Sequence, residues 1–271
     1  MRTTVRSPYA TGQARADIER ALNEAGKDVH TLQASELAML EDFHSLGRFA
    51  TAALVDLAQI RASDRVLDAG TAIGGTARMI AAERGARVTA VDIIPEYCDV
   101  AEWLNDAVGL GALIDVRTAD VTELPFDDAS FDVVVSQHVQ MNIADKRRLY
   151  AEARRVLVPG GRLALWDVTA GPGGPLHLPV PWATAPTQSH LVTPDQLAEL
   201  LREAGFATTH WNDLTQTADK AMGELLAGQQ STLGLHVFVP DFPTKLANLV
   251  RNLAGNRARL IQAVLTAKEA G

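Results

Sequence analysis

The sequence predicts an α/β protein built on a parallel, doubly wound sheet with helices on both faces. Three observations predict it. A short apolar run, Val66-Leu67, ends in Asp68-Ala69-Gly70, passes Gly74-Gly75 and enters a helical pattern, so it reads as strand, tight turn and helix start. From Arg65 to Asp167, short β-type runs alternate with helical stretches, the order that gives right-handed crossovers in a parallel sheet. Acids close three consecutive strands, at Asp68, Asp92 and Asp120, along the edge where open α/β sheets bind ligands.

Taken in order, the chain opens on polar residues with Pro8 and Gly12. Helical spacing follows over Arg15–Ala25 (Ile18, Ala21, Leu22), stopped by Gly26, then over Ala34–Phe43 and Arg48–Ile60. Residues 1–47 are expected to form a helical cap, placed before the sheet so that it can lie over the mouth of a ligand site. Residues 48–271 are expected to form the sheet domain. Strands are predicted at Arg65–Asp68, Arg87–Val91, Ile114–Thr118, Phe131–Ser136 and Arg162–Asp167. Helices are predicted at Thr76–Arg84, Pro95–Val108 and Ala144–Val156, with Pro95 in a first turn as proline prefers. A long loop, Thr169–Thr193, is rich in proline and glycine, and loops of that length are usually functional. Helix Pro194–Ala204 and strand Phe206–Leu214 follow. A substrate-side helical insert spans about 215–256, with helices at Gln216–Ala227 and Lys245–Leu253. The last segment, Arg259–Lys268, fits a strand or a helix by periodicity.

Composition narrows the function. With 25 Lys and Arg against 33 Asp and Glu, the net charge is −8 and no basic cluster appears, which argues against nucleic acid as a partner. One cysteine, Cys98, excludes an intrachain disulfide and fits a reducing compartment. No signal-type segment and no apolar run of membrane-spanning length is seen, so a cytoplasmic protein is expected.

The three strand-end acids suggest a nucleoside site. Asp92 follows Asp68 at about the spacing that separates a glycine turn from its ribose-binding acid, and can accept both hydroxyls of a ribose. Asp120 is placed to reach an adenine amino group. Asp68 can hold an ammonium or order the turn. The commoner fate of a lone Asp is a helix cap, but three at consecutive strand ends point to one ligand.

The segments Val66-Leu67-Asp68-Ala69-Gly70 with Gly74-Gly75, Val91-Asp92, Ala119-Asp120-Val121 through Leu124-Pro125-Phe126, Ser130-Phe131-Asp132-Val133-Val134 and Arg155-Val156-Leu157-Val158-Pro159-Gly160-Gly161 together resemble the class I S-adenosylmethionine-dependent methyltransferases. In finer detail they resemble its small-molecule branch: ubiquinone/menaquinone C-methyltransferases and glycine, sarcosine and dimethylglycine N-methyltransferases. The resemblance implies a Rossmann-like sheet of seven strands with an antiparallel last strand. It implies S-adenosylmethionine as cofactor, held by Asp68, Gly70, Thr71, Ala72, Gly74, Asp92, Ile93, Asp120, Val121 and Gln137. One departure stands out: Ala72 occupies a position that is usually glycine, which is tolerable if its φ stays negative.

A sulfonium methyl is already activated, so the protein supplies mainly proximity and alignment. A hydroxyl or carbon nucleophile also gains from a base near neutral pH, and His138, just after the fourth strand, is the candidate; a loop-capping histidine is the alternative. Candidate contacts to the small-molecule acceptor are Phe43, His44, Asn142, Asp167, His177 and Trp182, with Trp182 also suited to anchoring its loop. A homodimer is carried as the expected assembly. Two other functions compete. Gly70-x-Ala72-x-x-Gly75 partly fits the dinucleotide fingerprint of an NAD(P)-dependent oxidoreductase, and a non-catalytic cofactor-binding protein would keep the same turn.

Overall fold

Valine-rich runs buried on both faces make the central strands of a parallel sheet. In the computed structural model, which describes residues 11–41, 45–227 and 233–268, the strands are β1 (Arg65–Ala69), β2 (Arg87–Asp92), β3 (Ile114–Thr118), β4 (Phe131–Gln137), β5 (Leu157–Ala170), β6 (Phe206–Asp213) and β7 (Ala258–Ala267). They form one sheet in the order β3-β2-β1-β4-β5-β7-β6. The first five pair in parallel, and β7 runs antiparallel to both β5 and β6. The order reverses between β1 and β4, so their carboxyl ends diverge into a crevice, which is where ligands bind such sheets.

The helices are α1 (Ala14–Glu24), α2 (Ala38–Glu41), α3 (Gly47–Leu57), α4 (Gly75–Arg84), α5 (Pro95–Ala107), α6 (Lys146–Val156), α7 (Pro194–Glu203), α8 (Thr215–Ala227) and α9 (Phe242–Ala254). Successive strand residues face opposite ways, so the sheet has two cores. Val66, Val133 and Val135 pack with α3, α4 and α9 on one face. Leu67 and Val134 pack with Leu149, Ala153, Leu197 and Leu201 of α6 and α7 on the other.

A third cluster joins the N-terminal segment to the sheet domain. Ile18 and Leu22 of α1, with Leu37 and Leu40, pack against Ile73, Ile94, Tyr97, Val100 and Leu104. The Glu96 carboxylate holds the start of α1 by accepting from the N–H groups of Gly12 and Ala14 at 2.9 and 2.8 Å. Leu235, Phe238 and Val239, from the connection between α8 and α9, join this cluster, so cap and insert share one core.

Two differences from the sequence reading, and one point it left open, have physical reasons. The helix expected over 34–43 is a 3-10 turn at Ala34–Leu37 followed by the short α2, and residues 42–44 lie outside the described residues. The ambiguous last segment is the strand β7, in which eight of ten residues are buried, so neither face shows the alternation that reveals a half-exposed strand. Pairing of β5 begins before the Pro159-Gly160-Gly161 turn, at Leu157 opposite Phe131, with a bulge before Arg162 meets Val133.

Candidate active site

The turn after β1 is pinned to the end of β2. The N–H groups of Gly70 and Thr71 both donate to the carbonyl of Val91 at 2.9 Å. Asp68 lies beneath the turn, 2% exposed, and accepts from the Thr71 hydroxyl at 2.6 Å. Burial raises its pKa to about 7, and the nearby Asp92 adds to the rise. Ala72 departs from the expectation of a negative φ: its φ is +49°. A left-handed alanine costs roughly 1–2 kcal/mol, and what holds it is the bond from its N–H to Asp92 Oδ2 at 2.9 Å. Asp92 Oδ1 accepts from the Ile94 N–H at 3.0 Å. The Ile93 N–H also acts on this carboxylate, which still leaves it with acceptor capacity for a further donor. Asp120 is fixed in a small turn by the N–H and hydroxyl of Thr122 at 2.8 and 2.7 Å.

Gly70 is required by packing as well as by its φ of +88°. A Cβ there would come within 2.3 Å of Val139, in the loop after β4 that carries His138. That loop is rigidly held. Asp167, in β5 just past the end of its pairing with β4 and 1% exposed, accepts from the N–H groups of Val139 and Gln140 at 3.0 Å each and of Val168 at 2.9 Å. Burial pushes its pKa to about 7 in spite of these bonds and of the Lys146 ammonium. Lys146, itself pushed down to about 8 by burial, donates to the carbonyls of Gln140 and Ile143 at 3.0 and 2.7 Å and to that of His190.

The His138 ring is clamped at both nitrogens. Nε2 accepts from the Ser45 N–H at 3.3 Å and lies 3.2 Å from the Ser45 hydroxyl. Nδ1 lies 3.3 Å from the Trp166 carbonyl. An N–H facing one nitrogen and a carbonyl facing the other place the proton on Nδ1 and leave Nε2 as the acceptor. The Trp166 indole N–H in turn donates to the Ser45 carbonyl at 3.0 Å. Gln137 donates to the hydroxyls of Thr76 and Thr51 at 2.8 and 3.3 Å, tying β4 to α3 and α4.

A buried ion pair locks the segment before the sheet to this corner. Arg78 of α4 donates from Nε to Glu41 at 2.6 Å, from a terminal nitrogen to Asn105 at 2.8 Å, and to the carbonyl of Ile73. The two side chains are only 1% and 2% exposed. Gly75 leaves room for it, since a Cβ there would meet Glu41 Cβ at 2.5 Å.

These elements surround one cavity of about 1030 Å³. Of the sequence candidates, Gly70, Ala72, Asp92, Ile93, Asp120, Val121, Gln137, His138, Asn142 and Trp182 line it. Asp68, Thr71 and Gly74 do not. They sit under the turn, and Gly74 faces Arg78. Asp167 does not reach the cavity either, because three backbone N–H groups enclose it. His177 is held away on α9, where its N–H and carbonyl bond the Asn252 side chain at 2.8 and 2.9 Å. Phe43 and His44 lie outside the described residues. Trp182 contributes an apolar edge and uses its indole N–H on Ser189 at 2.9 Å. Sequence reasoning missed Ser45, which lines the cavity beside His138, and the insert residues Met222, Leu226, Leu246 and Leu249. The only signal for the insert was its apolar helical spacing, which also fits plain core packing.

A crevice at the strand reversal, an acid after each of β2 and β3, and a glycine turn opening on the first define a nucleoside-cofactor domain. The comparisons make this particular. Residues 67–165 match the family model described as a methyltransferase domain. The chain is 29% identical over 167 residues to the sarcosine/dimethylglycine N-methyltransferase of Halorhodospira halochloris, covering 62% of this chain and 60% of that protein. It is 37% identical over 127 residues to the demethylmenaquinone methyltransferase of Thermus thermophilus, covering 46% of this chain and 56% of that one. The chain spans between 31% and 60% of the length of the curated relatives it matches, which are named as N-, O- and C-methyltransferases. A solved structure of phosphoethanolamine N-methyltransferase 2 from Haemonchus contortus, in complex with phosphomonomethylethanolamine and S-adenosylhomocysteine, aligns with TM-score 0.71 at 20% identity over 94% of this chain and 61% of that one. At that identity the likeness shows the fold. The family match does not favour the oxidoreductase or the non-catalytic reading. No helix among the described residues is long and apolar enough to cross a membrane.

Proposed function

We propose that the chain transfers a methyl group from S-adenosylmethionine to a small-molecule acceptor, releasing S-adenosylhomocysteine. The observation that carries this reading is that Asp92, Asp120, Ile93 and Gln137 share one cavity with His138. A nucleoside corner and a base candidate thus open on the same space.

The residues fit the cofactor. Asp92 would take the ribose hydroxyls on its remaining lone pairs, Asp120 an adenine amino group, and the exposed Ile93 one face of the base. Gln137 would lie against the adenosyl or methionine part. Asp68 and Thr71 would act from beneath, by shaping the turn. When bound, the cofactor supplies a sulfonium methyl already activated for displacement. The protein then has two tasks. It aligns the acceptor, with the cap, the loop carrying Trp182 and the insert as walls, and alignment supplies much of the acceleration. It also accepts a proton where the nucleophile is a hydroxyl or an activated carbon, and His138 Nε2 is the acceptor in this reading, once the nucleophile takes the place of the Ser45 donors there. The bond from Nδ1 to the Trp166 carbonyl would strengthen as the ring gains charge. Residues 1–47 form the cap of this reading and 48–271 the catalytic domain. Its setting is the cytoplasm, without nucleic acid, as a homodimer.

Turnover of labelled S-adenosylmethionine against an acceptor panel tests this. In His138→Ala, S-adenosylhomocysteine should bind within about threefold of the wild type, while turnover falls by roughly 10²–10⁴, the range for a positioned general base. Wild-type turnover in that variant removes His138 from the chemistry.

A further inference from the structure

The three large apolar side chains most exposed among the described residues are Phe49 at 88%, Ile93 at 64% and Leu226 at 40%. All three line the same cavity. They come from α3, the end of β2 and α8, segments far apart in sequence, so their convergence is not one helix's stripe. Exposed apolar surface gathered in a concavity marks a binding site. Ile93 adjoins Asp92 and belongs to the nucleoside corner. Phe49 and Leu226 belong to the other half, together with Met141, Trp182, Met222 and Leu246.

The charges of this cavity are equally divided in space. Its acids among the described residues, Asp92 and Asp120, both stand at the nucleoside corner. Its one Lys or Arg among the described residues is Arg48, and that guanidinium is engaged by Glu83 of α4 at 2.6 Å. The other polar side chains of the lining include Ser45, Asn142, Thr187, Gln188 and the histidines 138, 190 and 236, with no further carboxylate among the described residues. An ammonium placed against such a wall would lose its hydration with no carboxylate to pair with, and a carboxylate or phosphate would find no Lys or Arg besides the engaged Arg48 among the described residues. At about 1030 Å³ the cavity stands at the upper end of the range of about 300–1000 Å³ typical for ligand pockets, which fits a cofactor with an acceptor beside it.

We infer that the methyl acceptor is an electrically neutral, largely apolar molecule of at least fused-ring size, with one nucleophilic atom presented to His138, and not a small zwitterion or a phosphate ester. The inference rests on the methyl-transfer reading for the identity of the first ligand. It departs from what the names of the sarcosine and phosphoethanolamine relatives would suggest, because the walls of this cavity are largely apolar.

Calorimetric titration of the full chain, saturated with S-adenosylhomocysteine, tests it with three probes: 2-naphthol, sarcosine and phosphoethanolamine. The expected result is that 2-naphthol binds at least tenfold tighter than either polar probe. Phe49→Lys, at an exposed position, and Leu246→Arg should each weaken 2-naphthol at least tenfold and leave S-adenosylhomocysteine within twofold, which also reports that the variants are folded. The inference is overturned if sarcosine or phosphoethanolamine binds as tightly as 2-naphthol, if none of the three binds, or if both variants bind 2-naphthol as the wild type does. If S-adenosylhomocysteine fails to bind the wild type, the cofactor reading falls by itself, and the preference among the three probes, measured without it, still decides the inference.

Discussion

Asp68 and Asp167 are two carboxyls at strand ends that the cavity does not touch, and both are pushed to about 7 by burial. The sequence marked both as ligand contacts because position at a strand end is readable and depth is not. One anchors the glycine turn through Thr71. The other gathers three N–H groups of the His138 loop. Ala72 shows the same boundary, since its left-handed φ follows from the Asp92 bond across 20 residues. The raised pKa has a definite consequence for stability. For Asp68 the native value of about 7 lies above the ordinary 3.8, so between these values the native state binds more protons than the unfolded one. Its contribution therefore declines as pH rises through this window. Asp68→Asn imitates the protonated form. The Tm difference, variant minus wild type, should grow more positive from pH 5 to pH 8, by about 2–4 °C for each kcal/mol of linkage. A difference that stays flat or shrinks in differential scanning calorimetry would show that Asp68 is charged and well paired in the native protein.

Among the elements, β1, β2 and β4 were legible because their runs are short, apolar and followed by an acid, a glycine or a polar loop. The cap was legible only as helices. What attaches it, Glu41 to Arg78 and Ser45 to His138, joins residues 37 and 93 positions apart, and no local pattern encodes such a pair. An arginine on the apolar face of α4 was the one visible hint. The ion pair makes the cap part of the site, because Arg78 also braces the turn through the Ile73 carbonyl. Removing one partner of a buried pair strands the other charge and costs about 3–5 kcal/mol. Glu41→Ala should accordingly lower the Tm by several degrees and weaken S-adenosylhomocysteine, with Glu41→Gln intermediate in both. An unchanged Tm in Glu41→Ala would show that the cap does not depend on the pair.

For the whole molecule, the strand order sets the crevice, and everything that is not sheet closes it. Ser45 and Phe49 come from the start of α3 and the residues just before it, Trp182 from the loop after β5, and Met222, Leu226 and Leu246 from α8 and α9. The residues of the proposed cofactor corner could be picked out in the sequence because its glycines and acids are tied to strand ends. It could not identify the acceptor walls, since an apolar residue facing a cavity and one facing a core have the same spacing. The sheet also hosts many chemistries, so function rests on the site and not on the fold. The most direct test of the central claim is calorimetric titration of the full chain with S-adenosylhomocysteine and, separately, with NAD. The account predicts one S-adenosylhomocysteine bound per chain with a Kd on the order of micromolar, about −8 kcal/mol, weakened at least tenfold in Asp92→Ala, and no saturable binding of NAD. Saturable binding of NAD, with none of S-adenosylhomocysteine, would contradict it.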